Sequence, residues 1–235
     1  MPRTDQLLIT CEHGGNRIPP CYRPFFQGHE ALLQTHRGFD AGALTMARDL
    51  AHALAAPLLL STTSRLLIDL NRSIGHPRLY SEATGAAPAA TRRDILECHY
   101  LPYRNQAEAY IAETIATGNR VIHLSSHSFT PELDGEVRNA DIGLLYDPAR
   151  PGEVELCRRW QASLKTQALK LKVRRNYPYT GKSDGFTAYL RRRFPADAYV
   201  GIELEINQKH VLKGGRSWKT LRGCVTEALK QALSM

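Results

Sequence analysis

The chain has 235 residues, of which 43% are hydrophobic and 23% are charged. This is an ordinary globular composition, and it excludes a disordered, collagen-like or coiled-coil chain. The 31 basic and 23 acidic side chains give a formal net charge of +8, an excess that is typical of proteins that bind nucleic acid or another acidic surface.

The positive charge is concentrated in one segment of the chain. Residues 158–193 hold 11 basic side chains and one acidic one, whereas residues 1–157 hold 14 basic and 18 acidic ones. Because no nucleic-acid-binding motif accompanies this basic segment, we interpret it as a solvated face with a few arginines that meet a small anion. A basic RNA-binding protein is the alternative from another functional class.

Short apolar runs alternate with helical patterns along the chain. The predicted strands are Leu7–Cys11, Pro57–Leu60, Leu66–Leu70, Val121–His127, Ile142–Tyr146 at a sheet edge, Leu171–Val173 and Tyr199–Ile206. The predicted helices are Asp40–Leu54, Asp94–Ala116 with a kink or break at Pro102, Pro151–Leu169, Gly185–Arg193 and Ser217–Leu233. This alternation predicts a single α/β domain over residues 1–235, a three-layer sandwich around a mostly parallel or mixed central sheet.

The cysteines and the N-terminal sequence favour a reduced, cytoplasmic protein. None of the five cysteines lies in a CxxC pair, and the first ten residues lack the apolar core of a signal peptide. No run approaches the roughly 18 apolar residues that a membrane span needs, so we expect no membrane partner.

Polar side chains follow four of the predicted strands. His13 follows the first strand, Asn71 and Arg72 follow the third, His127 ends the fourth and Glu205 lies near the end of the last. Because ligands of α/β sheets bind beyond the carboxyl ends of the strands, we expect these side chains to meet in one site.

Two histidines, one oxygen ligand and an open fourth position describe a hydrolytic zinc site. His13 and His127 are the predicted histidine ligands. Asp40, at the start of its helix, is the first candidate for the oxygen ligand, although this position also suits a helix cap. Glu12 is the second candidate, and strand alternation points it away from its neighbour. His123 lies about 13 Å from the strand end, so we expect it to be buried behind the site.

Glu203 and Glu205 share one face of the last predicted strand. A carboxylate buried in such a core costs several kcal/mol unless it is paired or lies near a metal. Glu205 is closer to the ligand edge and is the predicted general base, with Glu203 as the alternative. A salt bridge to the basic segment is the structural explanation for the same pair.

An ordered set of segments resembles the N-formylglutamate amidohydrolase family and runs from the first predicted strand to the last. These segments are CEHGGNRIPP (11–20), FDAGALTMARDLA (39–51), SRLLIDLNR (64–72), YLPYR (100–104), SSHSF (125–129), YPYTGKSDGF (177–186) and ELEINQ (203–208). The resemblance implies a phosphorylase/hydrolase-like fold that is related to zinc carboxypeptidases, aspartoacylase and zinc-dependent N-acetylmuramoyl-L-alanine amidases.

The resemblance also implies one zinc ion held by His13, Asp40 and His127. Asn16 stands where the carboxypeptidases have the glutamate of their His-x-x-Glu motif, and Asp40 is similar to the helix-start carboxylate ligand of the muramoyl amidases.

The same resemblance implies roles for several further side chains. Asn71 and Arg72 are similar to the pair that holds a substrate carboxylate in the carboxypeptidases and aspartoacylase. Arg65 and Arg104 are implied to be further anion-binding groups, and Glu205 is similar to the catalytic glutamate of a late strand.

The predicted function is a zinc-dependent amidohydrolase that releases an amino acid and a short carboxylic acid from a small anionic N-acyl amino acid such as N-formylglutamate. In this hypothesis zinc lowers the pKa of its water towards ~7, and Glu205 takes the proton as that water attacks the amide. Arg72 grips the substrate carboxylate, and an arginine and zinc hold the oxyanion. A zinc-dependent peptide or N-acetylmuramoyl-type amidase is the alternative with the same chemistry, and it needs a long open groove.

Overall fold

The structure is a computed structural model that describes residues 3–167 and 170–234. Its strands are β1 (Asp5–Cys11), β2 (Leu58–Leu60), β3 (Arg120–Phe129), β4 (Glu132–Leu133), β5 (Glu136–Val137), β6 (Ile142–Leu145), β7 (Val173–Arg175) and β8 (Tyr199–Asn207). Its α-helices are α1 (Ala43–Leu54), α2 (Glu82–Gly85), α3 (Ala89–Ile95), α4 (Leu101–Ala116), α5 (Pro151–Gln167), α6 (Phe186–Arg193), α7 (Lys209–Lys213) and α8 (Gly215–Ser234). Shorter helical elements are the 3-10 helices Pro20–Phe26 and Glu30–Gln34 and the π-helical turn Leu96–Tyr100.

The central sheet has six strands in the order β2-β1-β3-β8-β6-β7. The first four strands in this order are parallel, whereas β6 runs antiparallel to β8 and β7 runs parallel to β6. The predicted mixed α/β sheet is therefore confirmed. The carboxyl ends of β1, β3 and β8 meet at one edge, which is where the site lies.

Helices cover both faces of the sheet. One apolar cluster joins α1, α5 and α8 to alternate residues of the strands, such as Ile202 and Leu204 of β8. The other cluster joins α4 and α6 to the opposite face through residues such as Tyr103 and Phe186. Within the described part of the chain, no helix is both long and apolar enough to cross a membrane.

The prediction of a strand over Leu66–Leu70 is wrong. These residues form turns, and they are buried because they pack in the apolar cluster under α4. Their backbone is bonded outside the sheet: Asp69 N–H donates to Leu79 C=O at 2.8 Å, and Thr84 Oγ1 donates to Leu67 C=O at 3.0 Å. An apolar run without periodicity predicts burial, and it does not separate a buried strand from a buried turn.

Other elements differ from the predictions in detail. The strand predicted at residues 142–146 is confirmed as β6, but its placement at a sheet edge is wrong, because β6 lies between β8 and β7. The kink or break predicted at Pro102 takes the form of a π-helical turn, Leu96–Tyr100: the backbone stays helical into α4, and the proline occupies the first turn of that helix. Helix α5 ends at Gln167, and the last two residues of the predicted helix lie outside the described residues.

The reversed direction of β6 keeps one connection at the site edge. Strand β3 ends at this edge and β6 begins there, so residues 130–141 do not cross back over the sheet. They form the β4–β5 hairpin, whose turn has Asp134 and Gly135 with positive φ angles of 52° and 80°. This hairpin contributes Leu133 to the wall of the cavity described below.

Candidate active site

His13, Asp40 and His127 converge at the carboxyl edge of the sheet. The Oδ2 atom of Asp40 lies 2.8 Å from Nδ1 of His127 and 3.4 Å from Nδ1 of His13. All three side chains are buried, with exposed fractions of 5% or less. One atom from each, all within 4.8 Å of one another, could therefore act as a ligand of one metal ion.

The turn before α1 places the carboxylate of Asp40 against the histidines. Gly42 has φ 80°, and a Cβ there would lie 2.5 Å from Cγ2 of Val211, so only glycine fits this turn. Gly42 also occupies the N-cap position of α1, which leaves the Asp40 carboxylate free of a capping role. Backbone N–H groups hold it in place, since Asp40 N donates to His13 C=O at 2.9 Å and Ser128 N donates to Asp40 Oδ2 at 3.4 Å.

Each histidine has a carboxylate beside its second ring nitrogen. Nε2 of His13 lies 2.8 Å from Oδ1 of Asp69. Nε2 of His127 lies 3.1 Å from Oε2 of Glu12 and 2.9 Å from Oγ of Ser125. A carboxylate that accepts the Nε2–H hydrogen bond fixes the tautomer in which Nδ1 carries the free lone pair, as in carboxylate–histidine–metal arrangements.

The electrostatics of the cluster keep Asp40 ionised. Burial opposes this, but His13, His127 and Arg65 hold the pKa of Asp40 well below its usual value. Burial likewise disfavours a charged His127, yet Asp40 and Glu12 raise its pKa well above the ordinary value. A site that accumulates carboxylates around two imidazoles attracts a cation, either a proton on His127 or a metal ion in its place.

Two separations between these ligand atoms can be compared with those around a tetrahedral zinc ion. Ligand atoms that lie about 2.1 Å from a tetrahedral ion are separated by about 3.4 Å. The distance from Asp40 Oδ2 to Nδ1 of His13, 3.4 Å, matches this separation, whereas the distance to Nδ1 of His127, 2.8 Å, is that of a hydrogen bond. Two imidazoles and one carboxylate leave the fourth position for water or substrate, which is the pattern of a catalytic site.

Glu205 lies beside this cluster on the neighbouring strand. It is the register partner of His127 across β3 and β8, and both line the same cavity. Glu205 is 5% exposed, and its Oε2 atom has no hydrogen-bond partner among the described residues. Burial raises the pKa of Glu205 to about 8; the charge of His127 opposes this rise, and Asp40 and Glu203 add to it.

Glu203 lies two residues deeper along the same strand face. It pairs in register with Ser125, and Thr187 Oγ1 donates a hydrogen bond to its Oε1. Glu203 therefore has a fixed structural partner, whereas Glu205 has a free oxygen and pairs in register with His127 nearer the end of β8.

A cavity of about 650 Å³ opens in front of the cluster, and several arginines line it. Arg65 is held by two carboxylates, with Nη2 2.7 Å from Asp69 Oδ2 and Nη1 3.4 Å from Asp40 Oδ1. Arg72 lines the cavity while its Nη1 donates to the Asp184 C=O at 2.6 Å. Positive charge on this wall suits a substrate that carries a carboxylate.

Asn71 also lines the cavity and fastens two loops together. Its backbone N–H donates to Asp69 Oδ1 at 2.9 Å, and its Oδ1 accepts from the N–H of Phe186 at 2.6 Å. Gly185 permits this contact, because a Cβ there would lie 3.2 Å from Asn71 Oδ1 and from Glu203 Oε1. The loop that ends at Gly185 is thus held against the wall that carries Asn71 and Arg72.

Arg104 is not among the residues that line the cavity. It is 3% exposed, and its guanidinium stacks on the rings of Phe186 and Tyr189 at 4.2 and 4.4 Å. Burial lowers its pKa, and its Nη1 donates to the Leu70 C=O at 2.9 Å. The structure therefore places Arg104 behind the wall that carries Asn71, in contrast to the expectation that it binds the anion directly.

The predicted position of His123 behind the site agrees with the structure. Its ring nitrogens lie 2.8 Å from Thr10 Oγ1 and 2.7 Å from Tyr199 OH, and the side chain is fully buried.

The basic segment is divided between the two faces of the sheet. Arg158 on α5 pairs with Glu155, and Arg193 on α6 pairs with Glu108. Arg191 is buried against Glu153. These three arginines are therefore engaged in ion pairs, and the pair of Arg191 with Glu153 joins α6 to α5.

The sequence reasoning missed the roles of Asp69, Ser125 and Tyr103. Asp69 and Ser125 belong to the polar residues at the ends of the apolar runs 66–70 and 121–127. Their place in the sequence therefore indicated that they lie near the two histidines. Tyr103 lies on a helix distant in sequence, and its hydroxyl donates to Glu12 Oε1 at 2.9 Å. Only the three-dimensional packing of α4 reveals this contact.

A mixed α/β sheet whose carboxyl edge carries buried histidines, an aspartate and a glutamate with a free oxygen has the arrangement of a hydrolase. The family model of N-formylglutamate amidohydrolase matches residues 5–212. The chain therefore belongs to the N-formylglutamate amidohydrolase family, and this membership makes it an amidohydrolase.

Solved structures share this fold. A gene product from Agrobacterium tumefaciens is 29% identical in sequence, with a TM-score of 0.83 over 97% of this chain and 90% of that one. An N-formylglutamate amidohydrolase from Ralstonia eutropha is 19% identical and shares the fold, with a TM-score of 0.69 over 99% of this chain and 94% of that one. The search of curated proteins gave no match.

Proposed function

We propose that this protein is a zinc-dependent amidohydrolase that cleaves N-formylglutamate or a closely related acidic N-acyl amino acid. The observation that carries the proposal is the buried His13–Asp40–His127 cluster with Glu205 in register beside it. Membership in the family supports the amide substrate, and the arginines of the cavity support its negative charge.

His13, Asp40 and His127 would hold the ion through two Nδ1 atoms and one carboxylate oxygen. A zinc ion bound there supplies Lewis acidity, which lowers the pKa of a bound water and polarises the amide carbonyl. Asp69 and Glu12 hold the imidazoles in the required tautomer by accepting hydrogen bonds at Nε2.

Glu205 acts as the general base and then as the general acid. Its free Oε2 atom accepts a proton from the attacking water and returns it to the leaving nitrogen, as the amide C–N bond breaks. The pKa of about 8 belongs to the cluster without a cation, and a divalent charge nearby lowers it towards the ionised form that a base requires. A buried carboxylate with a tuned pKa suits both steps.

Arg72 and Asn71 bind the carboxylate of the substrate from the loop wall. A guanidinium presents two parallel N–H donors that match a carboxylate, and the amide adds a further polar contact. Arg65 lies between Asp40 and Asp69. We assign it the role of stabilising the oxyanion, or of binding the part of the substrate carboxylate that lies nearest to the cluster. A cavity of about 650 Å³ encloses a short acyl amino acid.

The test is hydrolysis of a panel of N-acyl amino acids by zinc-loaded protein. The panel contains N-formyl-L-glutamate, N-formyl-L-aspartate, N-acetyl-L-glutamate and, as a neutral control, N-formyl-L-leucine. We expect formate and free glutamate from the first compound, loss of this activity after treatment with a chelator, and recovery on addition of zinc.

Two results would contradict the proposal. Activity that persists when metal analysis finds no divalent ion would exclude the zinc mechanism. Cleavage of an alanyl peptide or a muramoyl peptide, with no turnover of the acidic acyl amino acids, would favour the peptide-amidase alternative.

A further inference from the structure

We propose that the helical segment Tyr100–Arg104 positions both halves of the active site at once. Through Tyr103 it holds Glu12 behind the metal cluster, and through Tyr100 and Arg104 it holds the backbone on either side of Asn71. We call this segment the brace. The contact of Tyr103 with Glu12 is its metal arm, and the contacts of Tyr100 and Arg104 with the backbone around Asn71 are its substrate arm. The substrate arm rests on the function proposed above, whereas the metal arm depends only on the binding of zinc.

The metal arm begins at Glu12, which is fully buried. Tyr103 OH donates to its Oε1 atom at 2.9 Å, and Ser125 Oγ donates to its Oε2 atom at 2.5 Å. A buried carboxylate needs such donors on both oxygens. With both atoms held, Glu12 presents Oε2 at 3.1 Å from Nε2 of His127, and this contact turns Nδ1 towards Asp40.

The substrate arm reaches the loop that carries Asn71 and Arg72. Tyr100 OH donates to the Arg72 C=O at 2.6 Å, and Arg104 Nη1 donates to the Leu70 C=O at 2.9 Å. The carbonyl groups on both sides of Asn71 are therefore tied to the same helix. Because Leu66–Leu70 is not a strand, the sheet does not fix this wall of the cavity, and the brace takes that role.

Helix geometry explains how a segment this short serves both arms. Residues 100, 103 and 104 are separated by three and four positions, so their side chains share one helix face. This face lies against the side of the sheet that carries Glu12 and Ser125, as the packing of Tyr103 in the α4 cluster shows. The aromatic contacts of Arg104 with Phe186 and Tyr189 lock the guanidinium in position between helix and loop.

The experiment compares three tyrosine-to-phenylalanine variants of one helical stretch. Tyr103→Phe removes the donor to Glu12, and Tyr100→Phe removes the donor to the Arg72 carbonyl. Tyr110→Phe is the matched control, because the Tyr110 hydroxyl donates to the Leu7 C=O at 3.0 Å, away from the site. Zinc affinity is measured by competition with a chromophoric chelator, and KM is measured with N-formyl-L-glutamate at saturating zinc.

The two arms predict opposite patterns. Tyr103→Phe should weaken zinc affinity about tenfold with little change in KM, since a partner of a ligand histidine is worth about 10- to 100-fold in affinity. Tyr100→Phe should leave zinc affinity unchanged and raise KM about fivefold, the effect of one hydrogen bond. Tyr110→Phe should lower Tm without changing either quantity.

The proposal is overturned if Tyr103→Phe and Tyr100→Phe lower Tm as Tyr110→Phe does and leave zinc affinity and KM at wild-type values. Should Tyr103→Phe fail to fold, Ser125→Ala tests the metal arm: it removes the other donor to Glu12 and the 2.9 Å contact with His127 Nε2, so wild-type zinc affinity in this variant would overturn the arm. If wild-type protein binds zinc but does not cleave N-formyl-L-glutamate, the proposed function fails, and the zinc affinities alone decide the brace.

Discussion

The interior and the carboxyl end of β3 each carry a buried histidine on the same strand face, and their surroundings differ. In the interior, His123 lies between the hydroxyls of Thr10 and Tyr199, and burial lowers its pKa to about 4. At the end, His127 lies between the carboxylates of Asp40 and Glu12, which raise its pKa despite burial.

The comparison shows that the neighbouring groups, and not burial or residue type, decide what a buried histidine can do. Hydroxyl partners satisfy a neutral imidazole and bring no negative charge that would stabilise a cation. Carboxylate partners call for a positive charge, and at a strand end with an adjacent cavity that charge can be a metal ion. The next four predictions test this difference, from the largest expected effect to the smallest.

Replacement of the two histidines should have unequal consequences for metal binding. We expect His127→Gln to abolish stoichiometric zinc binding and activity, because it removes one of three ligands. His123→Gln should retain one zinc ion per chain. Elemental analysis after dialysis against a weak chelator measures both, and equal zinc loss in the two variants would break the comparison.

The base at the strand end should matter far more than its neighbour in the interior. We expect Glu205→Gln to lower kcat about 10³-fold while zinc content stays at the wild-type level, because a positioned general base contributes about 10²- to 10⁴-fold. Glu203→Gln, on the same face and already bonded to Thr187, is the matched control and should lower kcat about tenfold or less. Steady-state kinetics with N-formyl-L-glutamate would show near-native turnover of Glu205→Gln if this assignment is wrong.

The low pKa of His123 predicts a pH dependence of stability. The folded state keeps this histidine neutral, whereas the unfolded chain binds a proton below about pH 6.5, so stability is lost as the pH falls from 6.5 to 4. The loss amounts to about 3 kcal/mol in the free energy of unfolding at pH 4.

Urea denaturation at pH 7 and pH 4 measures this contribution. His123→Gln should destabilise the protein at pH 7, and that destabilisation should shrink by about 3 kcal/mol at pH 4. His52→Gln, which changes an exposed histidine of α1, should leave the pH dependence of wild-type protein intact. A constant difference between His123→Gln and wild type across this range would contradict the assignment.

The smallest effect is expected on the loop wall of the cavity. Arg72→Lys keeps the charge but loses the planar pair of donors, so we expect KM to rise about tenfold with kcat less affected. Arg158→Lys, an exposed position of the basic segment paired with Glu155, is the control and should leave KM unchanged. A rise in KM for both variants would return the basic segment to a role in substrate capture.

The side chains at strand ends could be predicted because sheet topology brings the carboxyl ends of parallel strands together. His13, His127 and Glu205 each follow or end a recognisable strand, and the structure places them at one edge. The wall of the cavity could not be predicted in the same way, since Leu66–Leu70 is held by loop hydrogen bonds and by the brace. The place of Arg104 depends on which side of α4 faces the loop, and a positive charge in a sequence does not reveal this.

The reversed strand β6 has a consequence for how such a cavity can be altered. Because residues 130–141 leave and re-enter the sheet at the same edge, their length does not affect the register of any strand. A longer or differently folded hairpin there would change the rim of the cavity at Leu133. The His13–Asp40–His127 cluster and Glu205 would stay in place. Grafting at this connection would thus reshape the rim of the cavity without shifting the strands that carry His127 and Glu205.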